Sequence, residues 1–344
     1  MEEFVSVVML CYNHEKYLSK ALDSVLMQQT NFTYKIVIGD DCSPDHSQTI
    51  INTYARRYPE KFRAFCRSKN LGMNENFVDL IHHCKGKYIA YLECDDYWID
   101  EKKLQKQVDF LESHPNYSAV AAQCRVVDQD NKVLRPMMSE YLQEEDFTLS
   151  KLKAFKQPGH MSTWLLRNFF CKDQFEIGDM LDYKHSTGDR ILPILLLSQG
   201  NIRCLPDLVS SYRYDVRPDS TSWSAKHNLA LKDGNLQDFE RLEELEEYAS
   251  TIPYPIRFTK KKLFYYGLAL YYSYIHHNQG YRSAKKQMVS RMHHNPLFIL
   301  RGYLTFIRLC MNSIKMRFQK KSTSILDLEL GNEPTKRSVV TRNI

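Results

Sequence analysis

The sequence predicts an α/β protein: a mostly parallel sheet flanked by helices, followed by a C-terminal α-helical region. Over the first 125 residues, short apolar runs alternate with segments whose apolar residues recur at helical spacing, which is typical of βα units. The runs are continuously apolar, as expected for strands buried on both faces. From about residue 224 to 319 the pattern is helical throughout.

Five apolar runs in the first part predict strands, at 4–11, 34–41, 62–67, 87–93 and 117–127. The segments between them predict helices, at 13–29, 43–59, 70–86 and 100–115. Asn13 and Asp100 are suitable N-caps for the first and fourth helices. Pro59 ends the second helix and Gly86 closes the third.

After residue 128 the order changes. DQDN (128–131) predicts a turn between paired strands, and MSTWLLR (161–167) a further strand. The segment 187–200 predicts a short helix that is interrupted at Pro193 and ends at Gly200. The segment 202–216 is apolar and β-branched but contains Pro206, so it predicts a pair of short strands.

The net charge of +6 hides an uneven distribution of charge along the chain. Residues 251–344 contain 17 Lys or Arg and three acids, a charge near +14, whereas the first 250 residues are near −8. Such asymmetry predicts an acidic catalytic or binding body with a basic end. A basic, aromatic-rich segment favours anionic surfaces, either lipid head groups or nucleic acid.

Composition also indicates the compartment. Nine cysteines are scattered, with no Cys-x-x-Cys, which favours free thiols in a reducing compartment and argues against disulfides or a zinc site. The N-terminal MEEFVSVVMLCYN lacks a basic region and predicts a strand, not a secretory signal. No run of about 18 uncharged apolar residues occurs, so we expect a cytoplasmic protein.

Acids follow two of the predicted strands, at the end where open α/β sheets bind ligands. Asp40 and Asp41 follow the second strand, and Glu93, Asp95 and Asp96 follow the fourth. Clustered carboxylates repel one another unless a positive group neutralises them. A divalent cation such as Mn²⁺ or Mg²⁺, completed by a phosphate-bearing ligand, would do so. The alternative is that these acids are solvated loop residues and helix caps.

Two common phosphate-binding motifs are missing from the sequence. No G-x-G-x-x-G follows the first strand, where the chain reads CYNHEKY, and no G-x-x-x-x-G-K-[ST] occurs. This argues against a dinucleotide-binding Rossmann domain and against a P-loop. Phosphates would then need a metal ion, in agreement with the acids after the fourth strand.

Four segments together resemble the inverting family-two glycosyltransferases, members of the nucleotide-diphospho-sugar transferase superfamily with the GT-A fold. They are VSVVMLCYNHEKYLSKALDSVLMQQ, YKIVIGDDCSPD, NLGMNENF and GKYIAYLECDDYW. The resemblance covers roughly residues 4–215, and its specificity comes from the order and spacing of the four segments. It implies a Rossmann-like GT-A sheet and metal-dependent transfer of a sugar from a nucleoside-diphosphate donor.

The resemblance also implies roles for individual acids. Asp41 best matches the acid that contacts the nucleotide base. Glu93 and Asp95 are implied to lie near the ribose and diphosphate, with Asp95 and Asp96 as metal ligands. Glu93 stands where the family commonly has Asp.

The general base is implied to be an acid at the start of a later helix. Asp189, in Gly188-Asp189-Arg190, fits this position and would take the proton of the attacking acceptor hydroxyl. Asp179 and Asp182 are the fallback candidates. The alternative is that Asp189 is an ordinary acid stabilised by the helix dipole.

Further residues are assigned to the two sides of the site. On the nucleotide side they are Tyr12, Asn13, Asn70, Gly72 and Asn76. On the acceptor side they are His160, Trp164, Arg190 and Arg213. A lone His or Trp is more often a packing residue. Relatives often have Tyr-Arg-x-His near 212–215, where this chain has Asp215, and Arg213 and Arg217 remain available to a diphosphate.

The basic end carries two helical segments, 258–277 and 295–318, that combine apolar residues with Lys and Arg. Such helices suit a membrane interface, although core helices with a charged stripe look similar. We therefore predict a GT-A domain at 1–222, a basic helical region at 223–319 that contacts membrane through 258–318, and a disordered tail at 320–344. Nucleic-acid binding is the other reading, but no recognised module supports it.

The predicted function is transfer of a sugar from a nucleotide-sugar donor, a UDP-sugar, to a saccharide or lipid-linked acceptor in surface polysaccharide synthesis. Two alternatives remain at this point. A sugar nucleotidyltransferase would need a Gly-rich basic loop after the first strand, which CYNHEKY lacks. A non-catalytic sugar-nucleotide or polysaccharide-binding protein would tolerate loss of Asp189.

Overall fold

A computed structural model describes most of the chain. The described residues are 2–138, 144–170, 181, 183, 186, 188–215, 236–252, 256–275, 277–291 and 295–318, the last six of these by backbone alone. The predicted tail at 320–344 lies outside the described residues.

The strands of the described residues form one mixed sheet. They are β1 Val5–Cys11, β2 Tyr34–Asp40, β3 Phe62–Cys66, β4 Tyr88–Tyr91, β5 Tyr97–Trp98, β6 Tyr117–Val127, β7 Val133–Arg135, β8 Glu145–Phe147, β9 Leu165–Arg167 and β10 Asn201–Arg213. Their order is β3-β2-β1-β4-β9-β6-β10-β5, with β7 beside β6 and β8 beside β10.

The long ladders of this sheet are parallel. β1 pairs with β2 and β4, β2 pairs with β3, and β6 pairs with β10, all in parallel. β9 is antiparallel to both β4 and β6 and joins the two parallel halves. The predicted mostly parallel sheet is therefore confirmed, and the carboxyl ends of β1, β2 and β4 lie at one edge.

Helices cover both faces of the sheet. They are α1 Glu15–Leu26, α2 Ser47–Arg57, α3 Met73–His82, α4 Lys103–Ser113, α5 Leu149–Lys153, α6 Gly188–Gln199, α7 Leu236–Thr251, α8 Thr259–Ile275, α9 Gln279–Arg291 and α10 Pro296–Phe318, with a 3-10 turn at Met161–Thr163.

Two hydrophobic clusters flank the sheet. One joins α1, α2 and α4 to one face, through residues such as Leu22, Ile51 and Leu104. The other joins α3 and α6 to the opposite face and continues into α7, α8 and α9, through residues such as Phe239 and Tyr266. The C-terminal helices therefore share the core of the sheet instead of packing only on one another.

The structure corrects two sequence predictions about prolines. α6 runs unbroken through Pro193, because the carbonyl of Asp189, which has lost its helical donor, accepts from Gln157 Nε2 at 3.2 Å. Residues 202–216 do not form two strands. β10 is one strand of 13 residues, and Pro206 falls in a register shift between Cys204 and Leu208.

Two predicted N-caps are also wrong. Asn13 has a φ of 60° and precedes the N-cap of α1, which is His14. Asn tolerates this left-handed conformation better than most residues. The N-cap of α4 is Lys102, and Asp100 Oδ1 instead accepts the Lys102 N–H at 2.9 Å.

The last helices pack through two glycines. A Cβ atom at Gly267 of α8 would lie 2.7 Å from Thr305 Cγ2 of α10, and one at Gly302 of α10 would overlap the ring of Tyr266. Both glycines are therefore needed for the close approach of α8 and α10. None of the described helices combines the length and the apolarity needed to cross a membrane.

A buried lysine makes a prediction about stability. Lys103 of α4 is fully buried, and its Nζ donates to Gln107 Oε1 at 2.9 Å and lies 4.3 Å from the centre of the Trp98 ring. Burial lowers the pKa of Lys103 to about 7. Above this pH the unfolded chain binds a proton that the folded chain does not, so the free energy of unfolding rises with pH until the unfolded lysine also titrates.

We therefore expect the free energy of unfolding of the wild type to rise relative to Lys103→Met by on the order of 1 kcal/mol per pH unit between about pH 7 and 10. Urea unfolding of both proteins at several pH values measures this difference. Lys102→Met, which removes an exposed lysine, is the control. Parallel curves for wild type and Lys103→Met would contradict the prediction.

Candidate active site

The predicted nucleotide-side and metal residues meet at the carboxyl edge of the sheet. β1 leads into Tyr12 and Asn13, β2 into Asp41, and β4 into the acidic loop 93–96. β1 lies between β2 and β4 in the sheet, so the three loops are neighbours. The parallel sheet thus brings together residues that are about 80 positions apart in the chain.

The turn between β1 and α1 is held by hydroxyl and carboxylate groups of the β2–α2 loop. Ser43 Oγ accepts the Asn13 N–H at 2.9 Å, Ser47 Oγ accepts the His14 N–H at 3.1 Å, and Asp45 Oδ2 accepts the Glu15 N–H at 2.9 Å. Asp40 Oδ2 in turn accepts from Ser43 N at 2.9 Å. The sequence analysis missed these supports, although polar residues clustered after a strand are a signal for them.

Asp41 organises a second loop. Its carboxylate accepts the N–H groups of Leu71 at 2.6 Å and Gly72 at 2.9 Å, and its carbonyl accepts from Asn70 Nδ2 at 3.0 Å. The predicted nucleotide residues Asp41, Asn70 and Gly72 are therefore one connected group. Contact of Asp41 with a nucleotide base stays a prediction.

The acidic loop and His160 form a candidate metal centre. One ligand atom each of Glu93, Asp96 and His160 lies within 4.8 Å of the others. Asp96 Oδ1 accepts the Arg213 N–H at 2.8 Å, whereas Asp96 Oδ2 is buried without a hydrogen-bond partner and lies 3.6 Å from His160 Nδ1. An unpartnered buried carboxylate oxygen is costly unless a cation satisfies it.

Titration behaviour agrees with a site built for a cation. Burial, and then repulsion by Asp95 and Glu93, raises the pKa of Asp96 well above its ordinary value. Burial, and then Asp95 and Asp189, raises the pKa of Glu93 to about 8. Burial lowers the pKa of His160 to about 4, so its imidazole is neutral at pH 7 and able to bind a metal.

His160 was predicted on the acceptor side, and that role stays a prediction. The structure places it beside Asp96, with Ser162 Oγ 2.8 Å from its Nδ1. Asp95, predicted as a metal ligand, is half-buried and is not part of this three-residue group. Its proposed contact with the metal or diphosphate stays a prediction.

Arg213, the last residue of β10, supports the acidic loop through hydrogen bonds. It is buried, and its guanidinium donates to the carbonyls of Asp95 at 2.8 Å and Asp128 at 2.8 Å and to Asn131 Oδ1 at 2.9 Å. It also stacks over Tyr17, 4.1 Å from the ring centre. Arg213 is therefore a positioning residue for Asp95 and Asp96, and its predicted contact with acceptor or diphosphate is untested.

Asp189 lies in the first turn of α6, as predicted. Its Oδ2 accepts from Gln157 Nε2 at 2.7 Å and lies 3.7 Å from Arg190 Nε. Its charge adds to the raised pKa of Glu93 and partly opposes the lowering of the His160 pKa by burial. Asp189 is therefore within electrostatic reach of the metal centre. Arg190 stacks on Phe155, 4.3 Å from the ring centre.

Other predicted site residues are distributed differently. Tyr12 is exposed at 42%, so its ring is available to a ligand. Asn76 is buried, with Nδ2 donating to the Gly39 carbonyl at 3.0 Å. Trp164 is also buried, with its indole N–H donating to the Gly159 carbonyl at 3.0 Å. In this structure Asn76 and Trp164 are packing residues, and Asp179, Asp182 and Arg217 lie outside the described residues.

A second side-chain group lies behind the acids. Cys11, His14 and Cys94 each offer one ligand atom, and these atoms lie within 4.8 Å of one another. The eight cysteines of the described chain are free thiols, as expected. The scatter of the cysteines along the sequence argued against a zinc site and gave no signal for this group, in which Cys11 ends β1 and Cys94 lies three residues after β4.

Part of the chain is similar to a known protein family. The family model described as glycosyl transferase family 2 matches residues 6–172, a range that includes β1, β2, the acidic loop and His160. The match agrees with the mixed, mostly parallel sheet flanked by helices, the arrangement of a GT-A fold. The fold prediction is thereby confirmed.

Individual proteins match parts of the chain. The uncharacterized protein Rv1520 of Mycobacterium tuberculosis is 41% identical over 126 residues, 37% of this chain and 36% of that protein. The minor teichoic acid biosynthesis protein GgaB of Bacillus subtilis is 26% identical over 255 residues, 72% of this chain and 27% of that protein. The matches thus span about a third or less of the length of these relatives.

A solved structure shares the fold over most of the chain. TarS 1–349 of S. aureus superposes with a TM-score of 0.52 at 17% identity, covering 84% of this chain and 91% of that chain. Because the similarity covers 84% of this chain, it extends beyond residue 172, where the match to the family model ends.

The unpartnered oxygen of Asp96 generates a prediction. Without metal, we expect Asp96→Asn to raise the free energy of unfolding near pH 7 by about 1–3 kcal/mol, because the wild-type carboxyl must take up a proton on folding to avoid burying its charge, whereas the amide is neutral without one. The wild type should lose this amount as the pH rises from about 4, since its folded state holds a proton that the unfolded state releases. Mn²⁺ should stabilise the wild type and not the variant.

Thermal unfolding with a chelator and with Mn²⁺ measures both effects. Asp109→Asn, an exposed residue of α4, is the matched control and should behave as the wild type. Equal stabilisation of wild type and Asp96→Asn by Mn²⁺ would show that Asp96 is not a ligand.

Proposed function

We propose that the chain is a metal-dependent glycosyltransferase that moves one sugar from a nucleoside-diphosphate donor to an acceptor hydroxyl with inversion. The observation that carries this proposal is the buried, unpartnered Asp96 Oδ2 beside Glu93 and His160, at the ligand-binding edge of the sheet. The match of residues 6–172 to the glycosyl transferase family 2 model supports it.

Glu93, Asp96 and His160 would hold the cation. Two carboxylates and one neutral imidazole suit Mn²⁺ or Mg²⁺, with the imidazole favouring Mn²⁺. When bound, such an ion offsets the charge that develops on the departing diphosphate. Asp41, Asn70, Tyr12 and the Asn13 turn would flank the nucleoside, since they border the same edge.

Asp189 would act as the general base. The acceptor hydroxyl forms a bond to the anomeric carbon while the bond from that carbon to the diphosphate oxygen breaks, and the hydroxyl proton passes to Asp189. Attack from the side opposite the leaving group inverts the anomeric configuration. Gln157, which donates to Asp189 Oδ2 at 2.7 Å, would keep the carboxylate oriented toward the acceptor.

The donor and acceptor classes follow from relatives and from the surface. TarS was solved in complex with UDP-GlcNAc, and GgaB is a teichoic acid biosynthesis protein, so UDP-sugars and surface polysaccharides are the first classes to test. The acceptor would be a saccharide or a lipid-linked sugar, and the transferred group a hexose or N-acetylhexosamine. The GT-A unit would extend over 1–222, with 223–319 as its helical region.

Replacing Asp189 tests the mechanism. We expect Asp189→Asn to retain binding of UDP with Mn²⁺ and to lose transfer by about 10²–10⁴-fold, the usual contribution of a general base. A thermal-shift screen of nucleotide sugars with Mn²⁺ identifies the donor, and release of UDP in the presence of acceptor measures turnover.

Asp207→Asn, which removes a partly exposed acid paired with Lys106, is the control and should leave transfer unchanged. Full activity of Asp189→Asn would remove Asp189 from the mechanism. Tight sugar-nucleotide binding without transfer in the wild type, for every acceptor class, would favour the non-catalytic binding protein. Formation of a sugar nucleotide from a sugar phosphate would favour the nucleotidyltransferase.

We also propose that α10 contacts an anionic membrane surface from the cytoplasmic side. Its exposed apolar residues recur every three or four positions and form one stripe, which we call the α10 stripe: Leu297, Leu300, Leu304, Ile307 and Met311. Exposed Arg301 and Arg308 lie beside it. An apolar stripe flanked by arginines suits the lipid interface.

Co-sedimentation of the full chain with vesicles tests this contact. We expect binding to vesicles that contain phosphatidylglycerol, weaker binding at high salt, and loss of binding in Leu300→Ser/Leu304→Ser. Val133→Ser/Leu134→Ser, which alters two exposed apolar residues of β7, is the control. A dimer that the stripe substitutions dissociate, without vesicle binding by the wild type, would show that the stripe binds a second copy instead.

A further inference from the structure

Cys11 and Cys94 are neighbours because of the strand register. β1 and β4 are parallel, with Val8 opposite Tyr91. Cys11 lies three positions after Val8 and Cys94 three positions after Tyr91, and their sulfur atoms lie within 4.8 Å of each other. Both thiols are buried, at 1% and 0% exposure. Cys94 belongs to the acidic loop, between Glu93 and Asp95, and Cys11 is the last residue of β1.

His14 completes a set of three donors. Its ring nitrogen and the two sulfur atoms lie within 4.8 Å of one another. The Nδ1 atom of His14 is buried and has no hydrogen-bond partner. The backbone N–H of His14 is fixed by Ser47 Oγ at 3.1 Å, so the side chain is held in place from outside the group. A buried imidazole nitrogen without a conventional hydrogen bond calls for an explanation, and a metal ion shared with the neighbouring thiols supplies one.

The chemistry of these donors differs from that of the acidic centre. Two thiolates and an imidazole form a borderline-soft set, which binds Zn²⁺ in preference to the hard cations that carboxylates hold. Bonds of about 2.3 Å to sulfur and about 2.1 Å to nitrogen require ligand atoms roughly 4 Å apart or less.

We propose that Cys11, His14 and Cys94 form a zinc site, separate from the Glu93–Asp96–His160 centre. Three protein ligands leave a fourth position for water. The metal joins the β1–α1 turn, which carries Tyr12 and Asn13, to the acidic loop after β4. It thereby fixes the spacing between the nucleotide side and the metal centre of the same site.

Metal analysis of the full chain, purified without a metal-affinity tag, tests the proposal. We expect one zinc per chain, and in Co²⁺-substituted protein the intense near-ultraviolet bands of thiolate-to-cobalt charge transfer. Cys11→Ser and Cys94→Ser should each weaken zinc binding by more than about tenfold, since even changes outside the ligand shell cost about 10- to 100-fold. Cys310→Ser, in α10, should keep full zinc content.

X-ray absorption spectroscopy at the zinc edge identifies the ligand atoms in the wild-type protein, so this test does not depend on whether any variant folds. A shell with two sulfurs and imidazole nitrogen supports the site. A shell of oxygen and nitrogen alone, or a chain that takes up neither Zn²⁺ nor Co²⁺, overturns it. Asp96→Asn should retain zinc whether or not the transferase proposal holds, so the two proposals fail independently.

Discussion

The buried carboxylate of Asp96 is the constraint around which the site is arranged. One of its oxygens is satisfied by the backbone of Arg213 and the other has no partner, while Asp95 and Glu93 add repulsion. Burying these carboxyl groups costs stability, because each must either keep an uncompensated charge or hold a proton that the unfolded chain releases. The surrounding structure therefore has to hold these acids in place.

Two devices provide this rigidity at different points of the site. Arg213, at the end of β10, uses its guanidinium entirely on carbonyl and amide oxygens of the acidic loop and its neighbours. Gln157 donates both to the carbonyl that Pro193 leaves free and to the carboxylate of the same residue, Asp189. Pro193, which the sequence predicted to interrupt α6, thus frees the Asp189 carbonyl as an acceptor. The side-chain amide of Gln157 can then hold the proposed base, Asp189, by two hydrogen bonds.

The sequence was sufficient for the sheet and for the acids at its edge, since continuous apolar runs and their polar ends are local signals. It was insufficient for His160, Gln157 and Ser47, whose roles depend on which loop lies beside which. Pro193 and Pro206 misled because a missing N–H is tolerated when another donor or a register shift absorbs it. Asn76 and Trp164 carried plausible motif positions, but their burial is set by tertiary packing.

The glycine contacts between α8 and α10 have a consequence for how the protein would meet lipid. Gly267 and Gly302 allow α10 to pack closely against α8, and α8 belongs to the core. Insertion of α10 into a bilayer would therefore require it to separate from α8 and would disrupt the core. Under the proposed lipid contact, immersion would stop at one layer of side chains. The protein would then diffuse laterally along the leaflet surface and encounter a lipid-linked acceptor in two dimensions.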